Sequence, residues 1–184
     1  MNAALTLPRL LLPLLVLVLG LVACDDGGNT TTTPVDLGPF PQSSVKDCAN
    51  NDVDLSAVFA ANDITYVTMG AKWCTACREE VVIINNDILP NIPAARTKVV
   101  QLLLEDNPGQ APPSTLCDAW VTDLSPQFDI YADVDQSVVS AFYNGAVPPS
   151  LPEHILVNRE GTIVFQELGA LPKDFDVIIN DFLQ

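Results

Sequence analysis

Cys74 and Cys77 stand three residues apart where a β-rich run gives way to a helical period, and that junction restricts the chain more than any other feature. Residues 64–69 carry Ile64, Tyr66, Val67 and two threonines, favour a strand, and end at Gly70. Val81, Ile84 and Ile88 then recur at helical spacing, so a helix is predicted from near Thr75 to Pro90. Both sulfurs fall on its opening turn, where unpaired N–H groups and the positive end of the helix dipole stabilise a thiolate. Cys74 is expected to be the exposed nucleophile. Cys77, deeper and on the face of Val81 and Ile84, is expected to attack the mixed disulfide that Cys74 forms.

The rest of the chain from Val45 onward alternates in the same way. Residues 98–104 form a continuous apolar run closed by Asn107-Pro108-Gly109, as a strand buried on both faces would, and parallel to the first. Thr115 with Asp118 reads as a capping box for a helix over 114–124. Residues 128–132 suit a short strand, and Asp135 is placed to cap a helix holding Val138, Val139 and Phe142 that ends at Asn144-Gly145. Residues 155–157 and 162–165 flank a hairpin turn, and Phe175, Ile178, Ile179 and Phe182 share a final helix face. This order predicts an α/β fold, a mixed sheet covered on both sides.

Ahead of that domain lies an address. Residues 1–23 carry one charge, Arg9, before a leucine-rich run broken by Pro13 and Gly20, which reads as a signal peptide and not a membrane span. Leu21-Val22-Ala23-Cys24 resembles the lipobox of bacterial lipoproteins, in which the Cys becomes the acylated N-terminus. Residues 24–45, with a threonine run and three prolines, read as a flexible tether, leaving 46–184 as one domain. The expected location is extracytoplasmic, on a lipid anchor, with the choice of membrane open. The formal net charge of −15 from 8 Lys+Arg against 23 Asp+Glu argues against a nucleic-acid partner.

Trp73-Cys74-Thr75-Ala76-Cys77 resembles the active site of thioredoxin-like proteins, and Pro152 stands before residues 155–157 and Gly161 as the family's cis-proline stands before its hairpin. The spacing from Cys77 to Pro152 resembles the redoxin branch that includes TlpA and ResA. The resemblance implies a three-layer α/β/α fold around a central mixed sheet, and a membrane-tethered thiol-disulfide oxidoreductase that needs no cofactor beyond its redox-active disulfide. It implies protein thiol or disulfide clients, a membrane electron donor or acceptor, and the reducing direction before the oxidising one. Trp73, Leu151 and Pro152 would orient the client, with the Leu151 backbone pairing to it; Pro149 is a rival to Pro152. The sequence departs from the family at Thr68, where thioredoxins bury an acid, so proton transfer needs water or another group. Glu79 and Glu80 oppose a thiolate, and Lys72 and Arg78 offset them.

Alternatives stay open at this point. Cys74 and Cys77 could form an inert disulfide or half a zinc site, though no second Cys-x-x-Cys or paired His is present. Cys48 and Cys117 are a candidate structural disulfide in an oxidising compartment, or Cys117 is a further partner of Cys74. The single histidine, His154, would serve a copper-transfer module of the Sco type with the two cysteines; otherwise it is an ordinary strand histidine. No metal is expected outside that alternative. A non-catalytic thioredoxin-like scaffold is the third reading.

Overall fold

The computed structural model describes residues 36–145 and 150–184. Its elements run β1 (Ser44–Lys46), β2 (Asp52–Asp54), α1 (Leu55–Ala60), β3 (Ile64–Ala71), α2 (Thr75–Ile83), β4 (Thr97–Glu105), α3 (Leu116–Leu124), β5 (Asp129–Ala132), α4 (Ser137–Tyr143), β6 (Glu153–Asn158), β7 (Ile163–Leu168) and α5 (Phe175–Asp181). One seven-stranded sheet has the order β2-β1-β5-β4-β3-β6-β7. β3, β4 and β5 are parallel, and every other pairing is antiparallel. The alternation of side chains along β3 explains the layers. Val67 and Met69 face a core closed by Leu55 and Phe59 of α1 and Val138 and Val139 of α4. Ile64 and Tyr66 face the opposite core, closed by Ile84 and Ile88 beyond α2 and Phe175 and Ile179 of α5. Both faces of the sheet are covered, as the sequence pattern predicts.

Four local expectations change. The helix behind Cys77 does not stay α-helical to Pro90: α2 stops at Ile83, Ile84–Ile88 form a π turn, and Leu89–Asn91 a 3-10 turn. Thr115 has helical backbone angles and makes no side-chain cap, so the capping box does not form. The cap of α4 is Asp133, not Asp135. Its carboxylate, wholly buried, accepts from the N–H of Val138 at 3.0 Å and of Val139 at 3.0 Å, and from Ser137 Oγ, while Asp135 stays exposed. The folded part also begins before residue 46. Phe40 is buried, its N–H donates to Gly161 O, and Leu37 N–H donates to Ile163 O, so the expected tether is shorter than 24–45 at its C-terminal end. β1, β2 and α1 lacked a clear apolar period in the sequence. Residues 1–23 and the lipobox Cys24 lie outside the described residues, as does Pro149.

A disulfide joins Cys48, after β1, to Cys117 on the first turn of α3, with Cα atoms 5.0 Å apart. Cys117 is therefore the partner of Cys48 and not of Cys74.

Asp133 offers a direct check on the α4 assignment. Removing a buried carboxylate that satisfies two helix N–H groups is expected to cost about 2 kcal/mol, whereas an exposed, uncapping Asp costs within about 0.5 kcal/mol. Urea unfolding of Asp133→Ala and Asp135→Ala should separate by that margin, and equal losses would contradict the cap.

Candidate active site

The site starts from a missing side chain. A Cβ on Gly70 would sit 3.2 Å from Cys77 Cβ, 3.2 Å from Gln101 Nε2 and 3.4 Å from Cys77 Sγ, so glycine is what lets α2 seat Cys77 directly on β3. Past Gly70 the chain turns, Cys74 N–H donates to Ala71 O, and Cys74 takes an extended conformation (φ −80°, ψ 106°) as the cap of α2. Its sulfur accepts the Cys77 N–H at 3.1 Å. A helix N–H that would otherwise be orphaned is thus aimed at the Cys74 sulfur, which favours negative charge there in the reduced form. A disulfide joins Cys74 to Cys77, with Cα atoms 5.3 Å apart.

Cys74 is not the exposed residue that the sequence suggested. Only 4% of its surface is open, because it packs with Ala71, Cys77, Val81, Leu103 and Leu116 in one apolar cluster. The exposed neighbour is Trp73, at 44%. Its indole N–H donates to Glu105 Oε2 at 2.8 Å, and Glu105 Oε1 accepts the Gly109 N–H at 2.8 Å. Glu105 is wholly buried at the end of β4 and fixes both the Trp73 ring and the 105–110 turn. In the sequence it read only as part of that turn.

Leu151 packs against the same cluster as Cys74 and Cys77, and the Leu151–Pro152 peptide is cis. Pro152 is buried, and its carbonyl accepts the Gly169 N–H. Trp73, Cys74, Cys77, Leu151 and Pro152 thus belong to elements that meet at the C-terminal end of β3.

The charges around the cysteines are arranged differently from expectation. Lys72 bonds Asp106 at 2.5 Å, and Arg78 lies 3.6 Å from Asp123 with its guanidinium 5.2 Å above the Trp120 ring. Both cations are therefore engaged elsewhere. Glu79 is exposed, but Glu80 turns inward, 6% exposed. Its Oε1 accepts the Leu171 N–H at 2.9 Å, and Oε2 has no hydrogen-bond partner. Burial pushes its carboxyl up to about 7, against the opposing pull of the Leu171 bond. Glu80 is the functional candidate that sequence reasoning missed. The available signal was its position three residues after Cys77, on the buried side of the helix.

Thr68, at the position where thioredoxins bury an acid, is 1% exposed with an unpartnered hydroxyl. It is registered against His154 of β6. His154 is fully buried; Nδ1 lies 2.8 Å from Tyr66 Oη and Nε2 lies 3.0 Å from Gly169 O and 3.6 Å from Glu80 Oε2. The last distance is too long for a hydrogen bond. Burial pushes the imidazole down to about 4, so it is neutral at pH 7. Both ring nitrogens are already occupied, and among the described residues no group of three or more His, Cys, Asp or Glu side chains could hold a metal ion.

Several solved structures share the fold. The thioredoxin domain of a thiol-disulfide oxidoreductase from Bacteroides vulgatus is 18% identical with a TM-score of 0.61, covering 83% of this chain and 100% of that one. StoA from Bacillus subtilis is 15% identical with a TM-score of 0.57, covering 79% and 100%. A secreted Mycobacterium tuberculosis disulfide oxidoreductase is 14% identical with a TM-score of 0.55, covering 77% and 95%. At these identities the likeness establishes a thioredoxin-like fold. No curated protein sequence matches the chain. Residues 38–166, the greater part of the sequence, match the AhpC/TSA family, and the chain belongs to that family.

Proposed function

We propose that this chain is a lipid-anchored, extracytoplasmic thiol-disulfide oxidoreductase that exchanges the Cys74–Cys77 disulfide with protein thiols. The observation that carries the reading is the capping geometry: Cys74 sulfur at the start of α2, receiving the Cys77 N–H, with Cys77 buried behind it. A client thiolate attacks Cys74 Sγ, the Cys74–Cys77 bond breaks, and Cys77 leaves as a thiolate. A second client thiolate then attacks the client sulfur of the mixed disulfide, giving a client disulfide and reduced Cys74 and Cys77. In the reverse direction Cys74 thiolate attacks a client disulfide and Cys77 resolves the intermediate. Cys74 is the better leaving and attacking group because, of the two sulfurs in this apolar cluster, it is the one that receives a helix N–H.

Client approach falls to Trp73 and Leu151. The exposed indole, fixed by Glu105, flanks Cys74, and the backbone of Leu151 before the cis peptide pairs with the extended client chain. Glu80 supplies the proton function that Thr68 cannot. It is the one carboxyl that α2 buries, it has a free oxygen, and its folded pKa of about 7 suits exchange near neutrality, acting on Cys77 through water. The signal peptide 1–23, acylation at Cys24 and a tether ahead of the folded part complete the reading. Two disulfides suit an oxidising compartment, and the similarity to a secreted M. tuberculosis oxidoreductase points the same way. The electron donor or acceptor would then be a membrane protein.

Two measurements check these assignments. Cys74→Ala should abolish exchange with a model protein disulfide, and Cys77→Ala should accumulate mixed disulfides at Cys74, resolved on non-reducing gels; a Cys77→Ala chain that traps no client overturns the reading. The second is the pH dependence of stability. Glu80 holds in the folded chain a proton that the unfolded chain releases from about pH 4.5, so its contribution is full below about 4.5 and lost as pH rises through about 7. His154 acts in the opposite sense, contributing above about 6.5 and losing that contribution as pH falls through about 4. Glu80→Gln removes the first effect alone. The variant's stability relative to the unsubstituted chain is expected to climb between pH 4.5 and 7, by at most about 1.4 kcal/mol per pH unit. A difference that stays flat over that window contradicts a buried, titrating Glu80.

A further inference from the structure

Cys48 and Cys117 are not used by the mechanism above, yet one of them is open to solvent chemistry. A surface pocket of about 450 Å³ lies beside β5, and Cys48 forms part of its wall together with Asp47, Val121, Phe128, Asp129 and Tyr131. The two sulfurs of the disulfide differ in access. Cys48 is half-buried and faces the pocket, while Cys117 is fully buried on the first turn of the nine-residue α3. Cys48 is therefore the member of the pair that the pocket exposes.

The leaving side is equally prepared. Cys117 is fully buried in the same apolar cluster as Cys77, so it departs with a proton and not as a lasting thiolate. Its sulfur lies 3.3 Å from the Ile130 carbonyl oxygen and the Cys48 sulfur 3.9 Å from the same atom, so reduced Cys117 has an acceptor waiting. The fold also tolerates the opening. The β1–β2 ribbon joins β5 through the single registered pair Lys46↔Ala132, so freeing Cys48 disturbs the edge of the sheet and not its parallel centre.

We propose that Cys48–Cys117 is a second thiol-exchange site, independent of Cys74–Cys77, that takes through this pocket a protein cysteine flanked by basic residues. The charge preference follows from the wall. Asp47 and Asp129 both line it in a chain whose formal net charge is −15; Lys98 lies 2.6 Å from Asp129, and Lys46, the cation near Asp47, is itself bonded to Asp52. In the exchange the client thiolate attacks Cys48 Sγ and forms a client–Cys48 disulfide. The Cys48–Cys117 bond breaks, and Cys117 leaves with the electron pair, takes up the proton that the client thiol released, and hydrogen-bonds the Ile130 carbonyl oxygen through its S–H. A second client cysteine then attacks the client sulfur of the mixed disulfide, so that the client is oxidised by two electrons and Cys48 and Cys117 are left as thiols.

The test uses the oxidised full chain and two short peptides, each with one cysteine, flanked in one by lysines and in the other by glutamates. Adducts are mapped by mass spectrometry after acid quench. The lysine-flanked peptide should label Cys48 at least 10-fold faster than the glutamate-flanked one, with no adduct on Cys117, and the ratio should shrink toward one as salt rises. Val121→Trp, at the exposed rim of the pocket, should slow labelling of Cys48 at least 10-fold while leaving peptide labelling of Cys74 unchanged. Labelling of Cys48 should persist in the Cys74→Ser, Cys77→Ser double variant. Equal rates for the two peptides, adducts on Cys117, or no Cys48 adduct short of denaturation would overturn the proposal. Loss of labelling in the double variant would overturn its independence, while failure of Cys74 to trap a client leaves this site untouched.

Discussion

The contact between Gly70 and Cys77 is the constraint from which the rest of the site follows. Because no side chain stands at Gly70, the first turn of α2 comes down onto β3, and Cys77 is sealed beneath Cys74 among Val81, Leu103 and Leu116. Closeness at that point fixes which sulfur is inner and which is outer. It also places the Cys77 N–H on the Cys74 sulfur and turns the next inward position of α2, Glu80, into the core instead of toward water. An alanine at 70 would have to push both Cys77 and Gln101 aside by a few tenths of an ångström, in a sheet whose neighbouring positions are all buried.

Polar groups buried on the two sides of β6 give the site a fixed background. On one side His154 is held between Tyr66 and Gly169, beside Glu80. On the other, Glu153 is bound by Tyr143 and by Gln166 at 2.6 Å, and burial raises its carboxyl above the usual range. Each partner carries hydrogen bonds that an apolar replacement would not reproduce, so these side chains specify one arrangement of β6 against β3. That arrangement positions Leu151, which with Pro152 leads into β6, against the cysteine cluster.

The strands, the parallel centre and the hairpin were legible because each is written locally. β3 and β4 are continuous apolar runs, and the hairpin has its turn residues at the right offset. Cys74 and Cys77 were legible as a pair because spacing and helix phase are both sequence properties. Burial of Cys74 was not, since it depends on α3 and Leu151, which arrive from distant parts of the chain. Glu80 and Glu105 were missed for the same reason: a carboxylate reads as solvent-facing until the fold supplies Leu171 or Trp73 to receive it. Asp135 stands nearer the helix along the chain, yet Asp133 is the cap. The αL conformation at Gln136 bends the backbone so that the earlier acid reaches the helix N–H groups.

The central claim is that Cys74 and Cys77 form a reversible couple in which the capping sulfur is the reactive one. Equilibration of the full chain in dithiothreitol buffers, followed by alkylation and separate mapping of each cysteine, addresses it directly. Cys74 and Cys77 should change state together as a two-electron couple, and on reduction Cys74 should alkylate first. A midpoint at or below roughly −270 mV would place the couple on the reducing side of thioredoxin. A pair that does not reduce reversibly, or a Cys77 that alkylates before Cys74, would contradict the assignment of Cys74 as nucleophile.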